Sequence, residues 1–383
     1  MAQRTRFVCV SDTHAYTPSE AGFKLPAGDV LIHAGDLTNH GSKSELRKTM
    51  NWIAAADFEV KIVICGNHDI TLDAPFYAEH GSKFHSQHLE DPQECMEIVT
   101  TASPSIVFLR HQSALIRLTR PSGPNTVFKV FGSPFSQSPG TWAYGYESTH
   151  AAALWDQIPL DADLVVTHTP PHSHCDSRAV GAVGCKALRQ ALSRVRPLLA
   201  VCGHVHESRG FERVRWSQSS VSSSIPSNAM SEASDDDDDE EDQVVKGALP
   251  VPGSKKQSLV DLTGRRAPRL DNHGCAMIEA RMSSSQDTFL SSCPMEDQPH
   301  SRPRAPGQEQ HSPPLCPPSA SQTPRPLRRE TCIVNAAILA TSWPHRGGKR
   351  FHAPIVVDLD LPTWTEPPGP ATLQLQKSGP GEV

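Results

Sequence analysis

No stretch of this 383-residue chain is apolar for long enough to cross a bilayer. Met1-Ala2-Gln3-Arg4-Thr5-Arg6 leads straight into the first apolar segment without a secretory stretch. The run from Ile333 to Ala340 falls well short of the ~20 residues a spanning helix needs. A cytoplasmic setting, with the nucleus as the alternative, and no membrane partner are therefore expected. A disulfide framework is missing too. The ten cysteines are scattered, several of them inside apolar segments where Cys acts as a small hydrophobe, which points to reduced thiols. His172, His174 and Cys175 stand close together, but no CxxC or HxxxH elsewhere completes a zinc cluster. Basic clusters such as Arg325-Pro326-Leu327-Arg328-Arg329 are short and broken by proline, so no clear nucleic-acid binding is expected. The net charge of −6 rests on one acidic run, Asp235 to Asp242, and says little about the partners of a folded domain.

What the chain does have is a set of short buried strands. Phe7-Val8-Cys9-Val10, Val30-Leu31-Ile32, Lys61-Ile62-Val63-Ile64, Leu164-Val165-Val166 and Leu198-Leu199-Ala200-Val201 are aliphatic runs ending in turn residues, the pattern of strands covered on both faces. Helices lie between some of them. Ser42-Lys43-Ser44-Glu45 has capping-box spacing, followed by Leu46, Met50, Ile53 and Ala54 at helical intervals. Lys186 to Val195 places Leu188, Ala191, Leu192 and Val195 on one helical face. Alternating strands and helices imply a largely parallel sheet whose carboxyl ends gather distant residues onto one rim.

Each strand delivers a metal-ligand type to that rim. Asp12-Thr13-His14, Gly35-Asp36, Gly66-Asn67-His68-Asp69, His168 and Gly203-His204-Val205-His206 follow the apolar runs in order. Taken singly, each reads as a turn: Gly-Asp and Gly-Asn-His-Asp are ordinary loop chemistry. Taken together they supply carboxylate, amide and imidazole donors, which suit a pair of divalent cations rather than a thiolate-loving ion, and such a site hydrolyses phosphate esters. Asp69 reads as a backbone-orienting group. His33, His40, His80, His85, His88 and His111 read as ordinary polar or partly buried residues.

This motif series resembles that of the calcineurin-like metallophosphoesterases, in that family's order. Phe131-Gly132-Ser133-Pro134-Phe135 with Gly140-Thr141-Trp142-Ala143, and Thr167-His168-Thr169-Pro170-Pro171 with Gly184-Cys185, are similar to its small fetal-brain-type subgroup, the metallophosphoesterase-domain-containing proteins. The match covers roughly the first 216 residues and resumes near the C-terminus. The resemblance implies that Asp12, His14 and His206 hold one cation, that Asn67, His168 and His204 hold the other, and that Asp36 bridges them. It implies a metal-bridging hydroxide as nucleophile and His68 as the general acid that protonates the leaving oxygen. His174 and Asp176, in a loop beside the substrate cleft, match subgroup positions expected to touch substrate. Manganese, iron, magnesium or zinc would suit these donors, manganese first.

Two departures refine the expectation. Phosphoprotein phosphatases with this site carry arginines directly after the bridging aspartate and directly before the Asn-His pair, to grip a dianion. Here the stretches read Asp36-Leu37-Thr38-Asn39-His40-Gly41 and Cys65-Gly66-Asn67. The absence favours a singly charged phosphodiester, and the subgroup points to small cyclic nucleotides as the substrate class. A phosphomonoesterase, a protein phosphatase or a non-catalytic scaffold keeping the fold are the alternatives. Second, many relatives have an acidic residue at the position of Asn39, paired with the catalytic histidine; the Asn39 amide oxygen would orient His68 without adding charge.

The expected fold is a two-sheet α/β sandwich flanked by helices. Its domain runs over 1–217 and is closed by strands in 329–362, namely Thr331 to Ile338 and Pro354 to Leu359, which complete the second sheet. Residues 363–383 form a flexible tail. Between the two parts, 218–328 reads as a disordered Ser/Pro/acidic insertion, dispensable for folding. Ser231 and Ser234 precede acidic residues in contexts suited to acid-directed kinases, so the insertion is expected to be phosphorylated or to meet other proteins, or else to be a plain linker.

Overall fold

The computed structural model describes residues 2–137, 142–178, 181–217, 242–250, 256–272, 328–341, 345 and 348–364. In chain order the strands are β1 (Ala2–Val10), β2 (Val30–Ala34), β3 (Val60–Ile64), β4 (Ile106–Phe108), β5 (Gln112–Arg117), β6 (Val127–Ser133), β7 (Leu164–Thr167), β8 (Ser177–Arg178), β9 (Gly181–Ala182), β10 (Leu199–Cys202), β11 (Gly210–Arg215), β12 (Gln243–Lys246), β13 (Ser258–Asp261), β14 (Glu330–Asn335) and β15 (Ile355–Pro362). The helices are α1 (Pro18–Ala21), α2 (Lys43–Ala55), α3 (Ala74–Phe84), α4 (Pro92–Thr100), α5 (Ala151–Trp155) and α6 (Lys186–Val195). One six-stranded sheet runs β13-β15-β1-β2-β3-β4, and a seven-stranded sheet runs β12-β11-β14-β10-β7-β6-β5. None of the described helices is long and apolar enough to cross a membrane.

The two sheets face each other, and alternation along each strand explains why the runs are apolar throughout. Phe7 and Cys9 of β1, Ile32 of β2, Ile62 and Ile64 of β3, Leu164 and Val166 of β7 and Leu199 and Val201 of β10 share one core between the sheets. Their neighbours point the other way. Val8, Val10, Leu31 and Val63 pack under Leu46, Met50 and Ile53 of α2 and Cys95 and Val99 of α4. On the far side Val165 and Ala200 pack under Trp155 of α5 and Leu188, Ala191, Leu192 and Val195 of α6. Successive side chains of a strand point to opposite faces, so a strand between a sheet and a helix layer needs apolar residues at every position. Phe7 and Phe128 meet edge to face across the inter-sheet core at 5.4 Å. The expected capping box forms at Ser42 and Glu45.

The closing strands behave differently from expectation. They do not both complete the second sheet: β14 pairs with β10 and β11 there, whereas β15 lies beside β1 in the first sheet. Without β15, β1 would be an exposed apolar edge. Its antiparallel register is pinned where Arg6 faces Asp358, with Nε and a terminal nitrogen each donating to a carboxylate oxygen at 2.7 Å.

The expected insertion also needs correction. Within 218–328, β12 extends the second sheet beside β11, and β13 pairs with β15 in the first sheet. Val260, Leu262 and Leu270 are buried in the inter-sheet core. The low apolar content of the whole stretch concealed these short segments, which gain their stability from strands already in place. The acidic run before Asp242, the serines Ser231 and Ser234, residues 273–327 and the tail from 365 lie outside the described residues. Because Leu262 fills the core, Leu262→Ala is expected to destabilise the domain by about 2–5 kcal/mol, the usual range for a buried Leu; denaturant unfolding of the full chain measures it.

Candidate metal centre

Three of the five motif groups sit just past the first sheet's strands. Asp12 and His14 follow β1, Asp36 follows β2, and Asn67 and His68 follow β3. The second sheet supplies His168 after β7, and His204 and His206 after β10. Since β1, β2 and β3 are parallel to one another, as are β7 and β10, all these residues come to the carboxyl ends of their sheets.

The side chains converge. One nitrogen or oxygen from each of Asp12, His14, Asp36 and His206 lies within 4.8 Å of the others, and all four residues are buried. His206 Nε2 is 3.3 Å from Asp12 Oδ1 and 3.3 Å from His14 Nε2. A second group adjoins the first. Asn67 Oδ1 stands 2.9 Å from His168 Nε2 and 2.8 Å from His204 Nδ1. Asp36 faces both groups, with Oδ2 3.7 Å from His14 Nε2 and Oδ1 3.3 Å from His168 Nε2.

The backbone is bent to achieve this. Asp12, His14, Asp36 and His204 have φ of 53°, 44°, 51° and 66°, a region L-residues occupy at a cost of order 1–3 kcal/mol each. The glycines of two motifs answer a different need, close approach. A Cβ on Gly66 would stand 2.3 Å from Asp36 Oδ1, and one on Gly203 would stand 2.2 Å from Asp12 Oδ2. Glycine lets a neighbouring strand end press directly on a ligand carboxylate.

The electrostatics match a site built for cations. Burial opposes the charge on both carboxylates, yet the bond and charge of His206 bring Asp12 down to about 2. Burial is likewise outweighed at Asp36, held well below the usual range by His168, His68 and His14. Burial, helped by nearby positive charge from His68 and His206 at His14 and from His168 and Arg178 at His204, drives both rings down to about 3, toward the neutral form in which an imidazole can ligate metal. For His168 the pull of burial loses to Asp36, which raises it to about 9. The donor set therefore fits divalent ions that take oxygen and nitrogen. The adjacent Cys65 and Cys202 are buried and held as thiols by that burial, so no thiolate competes.

Supporting groups hold the loops that carry these residues. Asp69 is fully buried, and its carboxylate accepts from the backbone N–H of Gly66, Leu37 and Thr38 and from the Thr38 hydroxyl. It ties the loop after β2 to the loop after β3, as a backbone-orienting residue. Asn39 departs from expectation: its main-chain carbonyl, not its amide oxygen, lies 2.8 Å from His68 Nδ1. The Asn39 side-chain nitrogen instead donates to His14 O and to Glu45 Oε1. The α2 capping residue Glu45 thus also braces the loop, a link hidden because a capping box looks purely local.

His174 and Asp176, expected to touch substrate, are both buried. His174 is buried with Nδ1 3.0 Å from Glu212 Oε2, and Asp176 is buried, accepting from Ser173 N and Gly184 N. They hold the loop after β7 together, and the nearby cysteine joins no metal group among the described residues. His33, inside β2, is buried with its Nε2 2.9 Å from the Thr13 hydroxyl.

The sequence profile of the calcineurin-like phosphoesterases matches residues 5–208. The chain belongs to this family. Among individual proteins, the chain is 42% identical over 213 residues to a probable rhamnogalacturonate lyase C of Emericella nidulans, covering 55% of this chain and 18% of that protein. It is 36% identical over 216 residues to human metallophosphoesterase domain-containing protein 1, covering 54% of this chain and 62% of that protein. A UPF0046 protein of Caenorhabditis elegans is 31% identical over 216 residues, covering 54% of this chain and 70% of that protein. The chain thus spans less than two thirds of the length of the first two.

Replacing Asp69 by Ala would leave three buried N–H groups of the ligand loops without an acceptor, at about 1–3 kcal/mol for each unsatisfied group. Asp69→Ala is expected to lower the denaturation midpoint of the metal-free protein, and Asp69→Asn to do so less, read by circular dichroism.

Proposed function

We propose that the protein is a dinuclear metal-dependent phosphodiesterase acting on small, singly charged phosphodiesters, with cyclic nucleotides as the substrate class. The observation that carries this reading is the position of Asp36, whose two oxygens face two separate donor groups at 3.7 and 3.3 Å. In this reading Asp12, His14 and His206 would hold one divalent ion, Asn67, His168 and His204 would hold the other, and Asp36 would be shared between them. Manganese is the leading ion, with iron, magnesium and zinc compatible with the same donors. A pair of such ions supplies Lewis acidity, drawing charge from phosphoryl oxygens and acidifying water at neutral pH.

The chain's own groups do the rest. A carbonyl oxygen only accepts, so His68 Nδ1 carries a hydrogen toward Asn39 O, and Nε2 is the nitrogen free to serve the reaction. His68 acts there as general acid, giving its proton to the departing ester oxygen. The cleft beside the cluster has a volume of about 310 Å³ and is lined by Tyr16, Asn39, Glu45 and Lys48 together with His14. Lys48 is paired with Glu20 at 2.7 Å, and the Glu45 carboxylate accepts from Asn39, His40 and Ser42. The diester preference rests on the missing arginines around Asp36 and Asn67, which would grip a phosphomonoester dianion.

The test uses metal-loaded full-length protein. Bis(p-nitrophenyl) phosphate is expected to be cleaved faster than p-nitrophenyl phosphate, and a chelator to abolish both activities. Asp36→Ala is expected to reduce bound metal from two ions per chain to at most one, measured by elemental analysis, and to lose at least about 100-fold in kcat, in the range a displaced catalytic constellation costs. Faster cleavage of the monoester would sink the diester assignment.

A further inference from the structure

The described residues place an indole where neither the metal donors nor the cleft lining require one. The ring of Trp142 lies 4.0 Å from that of His68, centroid to centroid, with the planes tilted by 33°. That is stacking distance, and it covers one face of the imidazole. Around the rest of the ring the constraints are different in kind. Asn39 O holds the Nδ1 edge at 2.8 Å, and the His14 ring meets His68 edge-on at 4.8 Å and 90°.

Trp142 is itself held. It packs against Phe84 at the end of α3, with centroids 5.2 Å apart, and lies parallel to His40 at 6.1 Å. The chain just after it is anchored: Tyr144 N donates to Asp73 Oδ2 at 2.7 Å, Ser136 N donates to Tyr144 O at 3.0 Å, and Ala143 is fully buried. An aromatic ring fixed on this many sides can hold a partner ring in place, whereas a single hydrogen bond at Nδ1 leaves an imidazole free to swing about that bond.

We propose that Trp142 is a positioning residue for His68, holding its ring so that Nε2 stays aimed at the departing oxygen. The inference rests on the reading of His68 as general acid and adds what keeps the acid in line where the chain has Asn39 instead of a side-chain carboxylate. Asn39 fixes which nitrogen is presented; Trp142 fixes the plane in which it is presented. Proton donation is sensitive to that plane, because the hydrogen must lie on the line between nitrogen and the departing oxygen.

The leaving group separates this role from a merely structural one. Hydrolysis of methyl p-nitrophenyl phosphate releases methyl phosphate and p-nitrophenolate, a weak base that leaves without a proton, whereas methyl phenyl phosphate releases methyl phosphate and the more basic phenolate, whose departure a proton assists. With full-length, metal-loaded protein, Trp142→Ala is expected to lower kcat on the phenyl ester by about 10–100-fold, within the usual worth of general acid catalysis. On the p-nitrophenyl ester the loss should stay below about 3-fold, with KM little changed on either ester, and Trp142→Phe should restore most of the phenyl-ester rate. A separate reading comes from proton NMR of the metal-free protein, where the His68 ring protons should lose their ring-current shift in Trp142→Ala. Equal losses on both esters, a rise in KM alone, or unshifted His68 resonances would overturn the proposal. His68→Ala provides the control for the underlying reading: if it too affects both esters equally, the general-acid assignment fails, whereas a selective His68 effect with a flat Trp142→Ala sinks the inference about Trp142 alone.

Discussion

Everything about this site depends on burying the Asp36 carboxylate between two sets of imidazoles. A charge removed from water is tolerable only if it is paired, and an unpaired one costs several kcal/mol even after relaxation. Asp36 lies close to Asp12 in the same hollow, so two negative groups share a dry space. His168 and His206, both shifted toward their charged forms, offset that negative potential in the metal-free chain. Divalent cations are the natural partners of such an excess of donor atoms, which is why the cluster reads as a metal centre rather than a salt-bridge network.

The sandwich is what makes the cluster possible. Asp36 comes from the first sheet and His168 from the second, and the distance between them is set by how the two inner faces pack. Ile32 and Ile64 on one side and Leu164 and Val166 on the other share that core directly beneath the rim. Interiors pack at near-crystalline density and resist change in volume, so the ligand separation is as fixed as the core. The outer strands extend the same logic: β15 covers β1, β14 covers β10, and neither of those ligand-bearing strands is left as an edge.

A second tier of residues holds the loops that carry the ligands. Asp69 binds the loop after β2 to its own, and Glu45 braces Asn39, which in turn touches both His14 and His68. The His68 ring meets the main-chain carbonyl of Asn39 on one edge and the ring of Trp142 on one face, with the Glu45 carboxylate holding the Asn39 side chain. The left-handed backbone at Asp12, His14, Asp36 and His204 persists because these surroundings over-determine it.

The amino-acid order alone was enough for the central strands β1, β2, β3, β7 and β10 and the existence of the closing strands β14 and β15, for the helix from Lys186 to Val195, the capped start of α2 and the identity of the donor types, because these follow from local periodicity, capping spacing and residue chemistry. It also carried the family, through several short motifs in one order. Other features were decided only by long-range packing. The strands β12 and β13 lie in a stretch whose composition is polar, and they exist because β11 and β15 offer edges to pair with. The separation of β14 and β15 into different sheets, the burial of His174 against Glu212, the main-chain role of Asn39 and the stacking of Trp142 on His68 all join residues far apart in the chain or use backbone atoms that every residue has. No local pattern encodes such contacts; they appear only once the cores have fixed where each loop begins.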